Sequence, residues 1–376
     1  MGFVKLLFPI AVVVALTSGL AQAWGQRHPA ADLSSMDIEQ LMQVNVAAAS
    51  LHSQRLEDAP ASVTIITQDD IRKYGYRTLA EALSGARGFF TSYDHTYHFE
   101  GVRGFSLPGD YGTRLLVMVN GHSMTDNILG QATWYGQDMA LDMTLVKQIE
   151  IVRGPSSALY GSSGLFATIN IVTLSPDEFK NTKVTAETGS FGEKKIQAAT
   201  AVSLGHGAAM LFSGSILNNS GEHSLYFPEA NSPANNFGRA IDVDGEKGYH
   251  LFADFAWHDW RVTSLFGARQ KIQPISWGPT IFGDPGSRAL DSRNFVEATY
   301  THNFDSSRSL QWRTFYDSYR FRGVFRYQED VVADNRVFFT GDWVGSQVNY
   351  RFPLPHIGSL TVGGWTVRFA RSAAER

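Results

Sequence analysis

The stretch from Ile149 to Thr173, IEIVRGPSSALYGSSGLFATINIVT, admits few folds, because two alternating apolar runs flank a connection rich in Gly, Ser and Pro. Ile149 and Ile151 alternate with Gln148 and Glu150, and Arg153, Gly154 and Pro155 break the pattern. Ile169, Ile171 and Thr173 then share one face, with Asn170 and Val172 on the other. A period of two predicts strand, tight loop, strand, and such a pair needs a further sheet. A Gly/Ser loop beside a strand also raises phosphate binding. That reading lacks both a G-x-x-x-x-G-K-[ST] pattern and a long following helix to present its N-terminus, and is set aside.

At the N-terminus Lys5 precedes an apolar run from Leu6 to Leu16, and Ala21-Gln22-Ala23 offers small residues for cleavage. This predicts a secretory signal peptide over residues 1–23, since the run is shorter than the ~20 residues of a membrane helix and Pro9 interrupts it. No later segment is long and apolar enough for a helical span, so any membrane crossing must use strands. The chain contains no cysteine, which removes disulfides and thiolate metal sites. A formal net charge of −4 provides no basic field, so nucleic acid is not an expected partner.

Residues 24–58 are polar and alanine-rich, with one short helix expected where Ser34 caps and Ile38, Leu41 and Met42 share a face. Val63, Ile65 and Ile66 suit a buried strand, Thr67 caps a helix through Tyr74, and Gly75 ends it. Thr78-Leu79-Ala80-Glu81 reads as a capping box opening a second helix. An aperiodic aromatic loop is expected after Gly88, then a strand from Leu115 to Val119 and a type I′ hairpin at Asn120-Gly121. Beyond Ser175, segments of about ten alternating residues are separated by Gly, Asn, Asp and Pro, as in transmembrane strands or a soluble β-sandwich, and the expected signal peptide favours the former. They are Lys183–Thr188, Lys195–Leu204, Met210–Leu217, Tyr249–Trp257, Arg261–Ala268, Phe295–Asn303, Leu310–Tyr319, Val337–Arg351 and Leu360–Ala370. Asn218–Gly248 and Gln270–Arg293 are expected to be long outer loops.

Six segments in order resemble one family. ASVTIIT (Ala61–Thr67), Asp70-Ile71 with Gly75, TLAEAL (Thr78–Leu83), GVRGF (Gly101–Phe105), RLLVMVNG (Arg114–Gly121) and the closing strand pair are similar to the plug domain of TonB-dependent outer-membrane receptors. The resemblance runs from Pro60 to Thr173. Leu165-Phe166-Ala167 and Lys147-Gln148 depart from the family's usual residues. It implies an α+β plug over residues 59–175 followed by an antiparallel transmembrane β-barrel over 176–376. About nine strands are expected where the family has 22, so the chain reads as a truncated receptor unable to enclose its plug alone.

The resemblance also implies roles. Val44, Asn45, Val46, Ala47 and Ala48 occupy the place of the TonB box, which a TonB-type periplasmic energy-transducing protein recruits as an added strand. Arg103 and Arg153 match arginines that lock the plug to carboxylates on the barrel wall. Tyr93, His95, Tyr97 and His98 lie in a loop on the family's ligand side, where imidazole and phenol groups could meet a chelate or haem iron. No catalytic set is expected, because Ser156 and Ser157 have no base or orienting acid placed beside them. The expected function is energised uptake of a scarce chelate (ferric siderophore, haem or cobalamin) across a Gram-negative outer membrane, with lipid around the barrel and no resident cofactor. The alternative is an adhesin, signalling or phage receptor that keeps the plug without transport.

Overall fold

A computed structural model describes residues 45–46, 54–55, 62–106, 109–130, 134–155, 163–275, 280–328, 331–354 and 358–375. The expected signal peptide, the helix near Ile38, Val44, Ala47, Ala48, Ser156 and Ser157 lie outside the described residues. Asn45–Val46 (β1) pairs antiparallel with Gln54–Arg55 (β2), Val46 opposite Gln54.

Ser62–Thr67 (β3) leads into the helix Gln68–Tyr74 (α1). Thr67 caps it reciprocally: its hydroxyl accepts from the Asp70 amide, the Asp70 carboxylate accepts from the Thr67 amide, and Gly75 ends the helix at φ 70. At Leu79–Ser84 (α2) only half of the expected capping box forms. Thr78 accepts from the Glu81 amide, but the Glu81 carboxylate turns to the Arg77 amide and guanidinium, each at 2.6 Å. A charged donor outcompetes the Thr78 amide.

Phe89–Tyr93 (β4) and His98–Val102 (β5) form an antiparallel hairpin where an irregular loop was expected. The Asp94 carboxylate accepts from the amides of Thr96 and Tyr97, and His95 takes φ 65, so side-chain bonding closes the turn. Leu115–Val119 (β6), His122–Ser123 (β7), Val146–Arg153 (β8) and Ala167–Thr173 (β9) join β3 in a five-stranded sheet of order β3-β8-β9-β6-β7. β6 and β9 run parallel and the other neighbours antiparallel, the mixed sheet expected. Asn120 and Gly121 both take positive φ, 51 and 77, as a type I′ turn requires. All five residues of β6 are buried, because Leu79, Ala82 and Leu83 of α2 and the residues around Tyr135 and Met139 belong to the same core.

A second, nine-stranded antiparallel sheet follows. Its strands are Lys183–Thr188 (β10), Lys194–Gly205 (β11), Ala208–Asn219 (β12), Glu246–Trp257 (β15), Trp260–Ile272 (β16), Arg288–Asn303 (β17), Ser309–Gln328 (β18), Val332–Leu354 (β19) and Gly358–Glu375 (β20), paired in that order. The small hairpin Ser224–Tyr226 (β13) with Arg239–Ile241 (β14) stands between β12 and β15 and has its own core of Leu225, Phe227, Ala240 and Val243. Turns at 206–207, 258–259 and 304–308 mark one end of this wall; the longer connections 220–245 and 273–287 mark the other.

Several strands outgrow the sequence reading, β18 among them, which runs on to Gln328 where Tyr319 was expected to end it. β17 begins at Arg288, not Phe295, and β19 covers Val332–Leu354, so the loop expected at Gln270–Arg293 shrinks to 273–287. Asp291 and Arg293 are buried on the inner face of β17, and these charges disguise the strand as loop. The wall alternates: Leu211, Phe252, Leu265 and Phe295 share a core with Trp134, Ala140 and Met143 of the N-terminal domain, while Ile216, Leu251, Phe266 and Val344 are exposed on the opposite face. Among the described residues no helix is long and apolar enough to cross a membrane.

Ile149, fully buried at the centre of the inner sheet, tests this core. Ile149→Ala should destabilise the N-terminal domain by about 2–5 kcal/mol. Limited proteolysis in detergent should then cleave within residues 62–173 at lower denaturant than in the parent chain.

Candidate functional site

The functional geometry lies where the N-terminal domain meets the wall, at the β6–β7 hairpin. His122 places Nδ1 2.9 Å from Glu297 Oε2 on β17 and Nε2 3.0 Å from Asp317 Oδ1 on β18. Carboxylates only accept, so both ring nitrogens must carry hydrogen and the ring is an imidazolium. Burial opposes that charge, yet Asp317 and Glu297 outweigh it and hold the His122 pKa above the ordinary imidazole value. Phe295 stacks on the ring at 4.0 Å and Phe315 meets it edge-on at 5.1 Å.

Two wall arginines complete the cluster. Arg293 pairs with Asp317 at 2.6 Å, donates to the carbonyls of Met124 and Ser123, and lies over the Trp343 ring. Arg313 pairs with Glu297 at 2.6 Å and donates to the Gly121 carbonyl at 3.0 Å. The turn that reverses the chain thus also presents its carbonyls to the wall. A Cβ on Gly121 would stand 3.0 Å from the Arg313 guanidinium, so close approach and positive φ both favour glycine.

Further contacts repeat the pattern on other wall strands. Asp142 pairs with Lys195 of β11 at 2.6 Å and His250 of β15 at 3.0 Å, and His250 also meets the Gln137 carbonyl. Although burial works against its charge, hydrogen bonding to His250 and the Lys195 ammonium hold the Asp142 carboxyl well below the usual range. Thr144 donates to Gln197 of β11 at 2.8 Å, and the Tyr97 hydroxyl donates to Asp291 of β17 at 2.7 Å. A cavity of about 300 Å³ runs along this seam beside β10 and β11, lined by Tyr76, Arg77, Asp142, Thr185, Glu193 and Lys195 among others.

Comparison with known proteins gives this geometry a family. The model of the TonB-dependent receptor plug domain matches residues 55–168. Residues 55–168 are a TonB-dependent receptor plug domain. The chain is 30% identical over 169 residues to the vitamin B12 transporter BtuB of Vibrio cholerae serotype O1, and 26% identical over 171 residues to the ferrichrome outer membrane transporter/phage receptor of Escherichia coli K12. These matches cover 44% of this chain in each case, and 26% and 20% of the relatives. In fold it is similar to the ferripyoverdine receptor of Pseudomonas aeruginosa (TM-score 0.64, 13% identity, 96% of this chain and 49% of that one). It is also similar to the ferric-catecholate receptor Fiu of E. coli (TM-score 0.60, 13% identity, 84% and 50%). The chain therefore spans about half the length of those receptors. The relatives are transporters and receptors by name, and this chain shares with them a plug domain followed by antiparallel strands.

Within the plug, the residues singled out from sequence fall in distinct places. Arg153 donates to the Arg87 carbonyl and to the hydroxyls of Ser62 and Thr64, all in the plug itself. Arg103 is exposed in a turn at φ 54. Among the described residues neither reaches a wall carboxylate. His122, Asp142, Thr144 and Tyr97 are among the plug residues whose side chains do contact the wall, and their partners lie 53 to 195 residues away. Tyr97 is one of the four loop residues assigned to ligand contact, and the structure joins it to the wall.

Tyr93 and His98 stack at 4.4 Å across the β4–β5 hairpin, and burial pushes the His98 imidazole down to about 4, leaving it neutral. His95 reaches the long-connection end of the wall, 3.6 Å from Asp244 and edge-on to Phe227. Of the proposed box, Asn45 and Val46 form β1.

His122→Ala should free the β6–β7 hairpin, with a loss of about 3–5 kcal/mol for a broken buried pair. Amide hydrogen exchange across residues 118–124 reports it. His223→Ala, which removes an exposed pair with Asp242, should leave exchange unchanged. His122 has a raised pKa, so its contribution is complete below about pH 6.5 and is lost as pH rises through the raised value. Protection in the parent chain should fall in that window, and the variant should lack the fall.

Proposed function

We propose that this chain is the gate-bearing part of an outer-membrane receptor that imports a scarce chelate (a ferric siderophore, haem or cobalamin), with work supplied by a TonB-type periplasmic protein. The observation that carries the reading is the seating of the plug. It is pinned by ionic and polar contacts at His122, Asp142, Thr144 and Tyr97, which can break and re-form, and the seam cavity lies beside two of these pins. A domain meant only as a structural filler gains more from apolar packing, since buried ion pairs seldom exceed it in stability.

The apex supports chelate recognition. The β4–β5 hairpin carries Tyr93, His95 and His98 to the long-connection end, where Arg269 of β16 lies 5.9 Å over Tyr97. Aromatic faces beside a guanidinium suit a planar or anionic chelate. At the other end of the chain, the extended backbone at Asn45 and Val46 already pairs as a strand, and strand addition to a partner's sheet demands little else. The relatives include proteins named for vitamin B12 and for ferrichrome, and the proposal is made for the chelate class.

Two variants separate transport from mere binding, with radiolabelled cyanocobalamin, haemin and ferrichrome as probes in cells that display the receptor. Val46→Pro, which removes a backbone donor and resists pairing, should reduce uptake to background while surface binding persists. The protein lacks cysteine, so Thr144→Cys with Gln197→Cys creates a unique thiol pair across the seam. Joined by a short reducible cross-linker, it should stop uptake until reduction restores it. Binding of a probe with no uptake in the unmodified receptor would instead support an adhesin or signalling role.

A further inference from the structure

The outward face of the wall carries a cluster of arginines away from the plug. Alternation fixes which residues face out: Asp291, Arg293, Asp317 and Tyr319 are buried inward, so the even-numbered residues between them point away. On the short-turn side this face has an aromatic row, with Trp260 5.0 Å from Tyr300 and 6.2 Å from Trp312. Such rows mark a membrane interface. Arg320 and Arg322 stand about eight and ten residues further along β18. At ~3.4 Å per residue and a tilt of ~40° that is ~20–26 Å of height, which matches an apolar band of ~25 Å. They therefore sit at the opposite interface, on the long-connection side.

Register gathers more arginine there. Val324 is opposite Arg288 on one side and Arg336 on the other, while Arg322 is opposite Leu290 and Phe338. Arg288 and Arg336 are thus diagonal neighbours of Arg322, about 7–8 Å away. Arg320 is neutralised by Asp342 through bonds of 2.8 and 2.9 Å, and Arg336 has Asp334 at 3.7 Å. Arg322 and Arg288 are both exposed, and among the described residues Arg322 has no carboxylate partner and Arg288 has only the Gly286 carbonyl at 3.5 Å. Two unneutralised guanidinium groups side by side repel each other unless an anion bridges them, and their planar forks match phosphate oxygens.

We infer that Arg288 and Arg322, flanked by Arg320 and Arg336, form an outward-facing site for the phosphate headgroup of a membrane lipid in the leaflet on the long-connection side. Leu290, Val324 and Phe338 between the arginines supply apolar surface for the lipid's first chain atoms, and the arginine stems extend along it. Charge and position act together: the same arginines lower in the band would meet hydrocarbon, and higher up would meet only water.

The test uses the full chain in a zwitterionic detergent, with native mass spectrometry counting retained lipid. Phosphatidic acid should be retained at least tenfold more tightly than phosphatidylcholine of the same chains. Arg288→Gln with Arg322→Gln should remove that preference, while Arg308→Gln, at the short-turn end, should not. Circular dichroism should show the double variant folded, since both side chains are exposed. Equal retention of the two lipids, an unchanged preference in the folded double variant, or displacement of phosphatidic acid by millimolar inorganic phosphate would each overturn the proposal. If the double variant loses its strand signal, single Arg322→Gln decides on the same criterion.

Discussion

A β-strand has two faces and no more, and every other feature of this protein follows from how the wall divides them. One face must be apolar enough for lipid; the other must hold a folded domain. Period-two alternation meets both demands residue by residue, which is why Ile216, Leu251 and Val344 point one way while Ser213, His250 and Asp317 point the other. The cost is that each inward charge on the wall needs a matching group on the plug or beside it, because neither lipid nor a packed interior will solvate it.

Those matching groups are supplied economically. The β6–β7 hairpin offers one imidazolium and the carbonyls of its turn, and four wall side chains converge on them. The turn conformation, the glycine and the wall arginine are mutually dependent: without positive φ at Gly121 the carbonyl does not face Arg313, and without Arg313 that carbonyl loses its donor. Specificity of seating thus rests on directional bonds, with aromatic stacking from Phe295 excluding water around them.

Much of the fold was legible in the chain. Thr67, Gly75 and Asn120-Gly121 announce a helix start, a helix stop and a hairpin through local chemistry, and each is found in that role. The strand pair around Pro155 follows from period two alone. What was not legible has a common cause. The β4–β5 hairpin is closed by Asp94 bonds and positive φ at His95, neither of which leaves a hydropathy pattern. The start of β17 was hidden because its inward residues are Asp291 and Arg293, charges that resemble a loop until their partners are known. The partners of His122 lie 175 and 195 residues away, beyond any local rule. A signal did exist: Asp291, Arg293 and Glu297 share one face at even spacing, and a charged row of period two beside an apolar row is how a wall facing a polar filling reads.

The order of the inner sheet has a mechanical meaning. β3, nearest the N-terminus, lies at one edge, and β7, which bears His122, lies at the other, with β8, β9 and β6 between them. A pull entering from the N-terminal side loads β3 against β8 first. The two edges of the sheet are thus held differently: the near edge has β8 as its sheet neighbour, whereas the far edge is also fastened to the wall through His122.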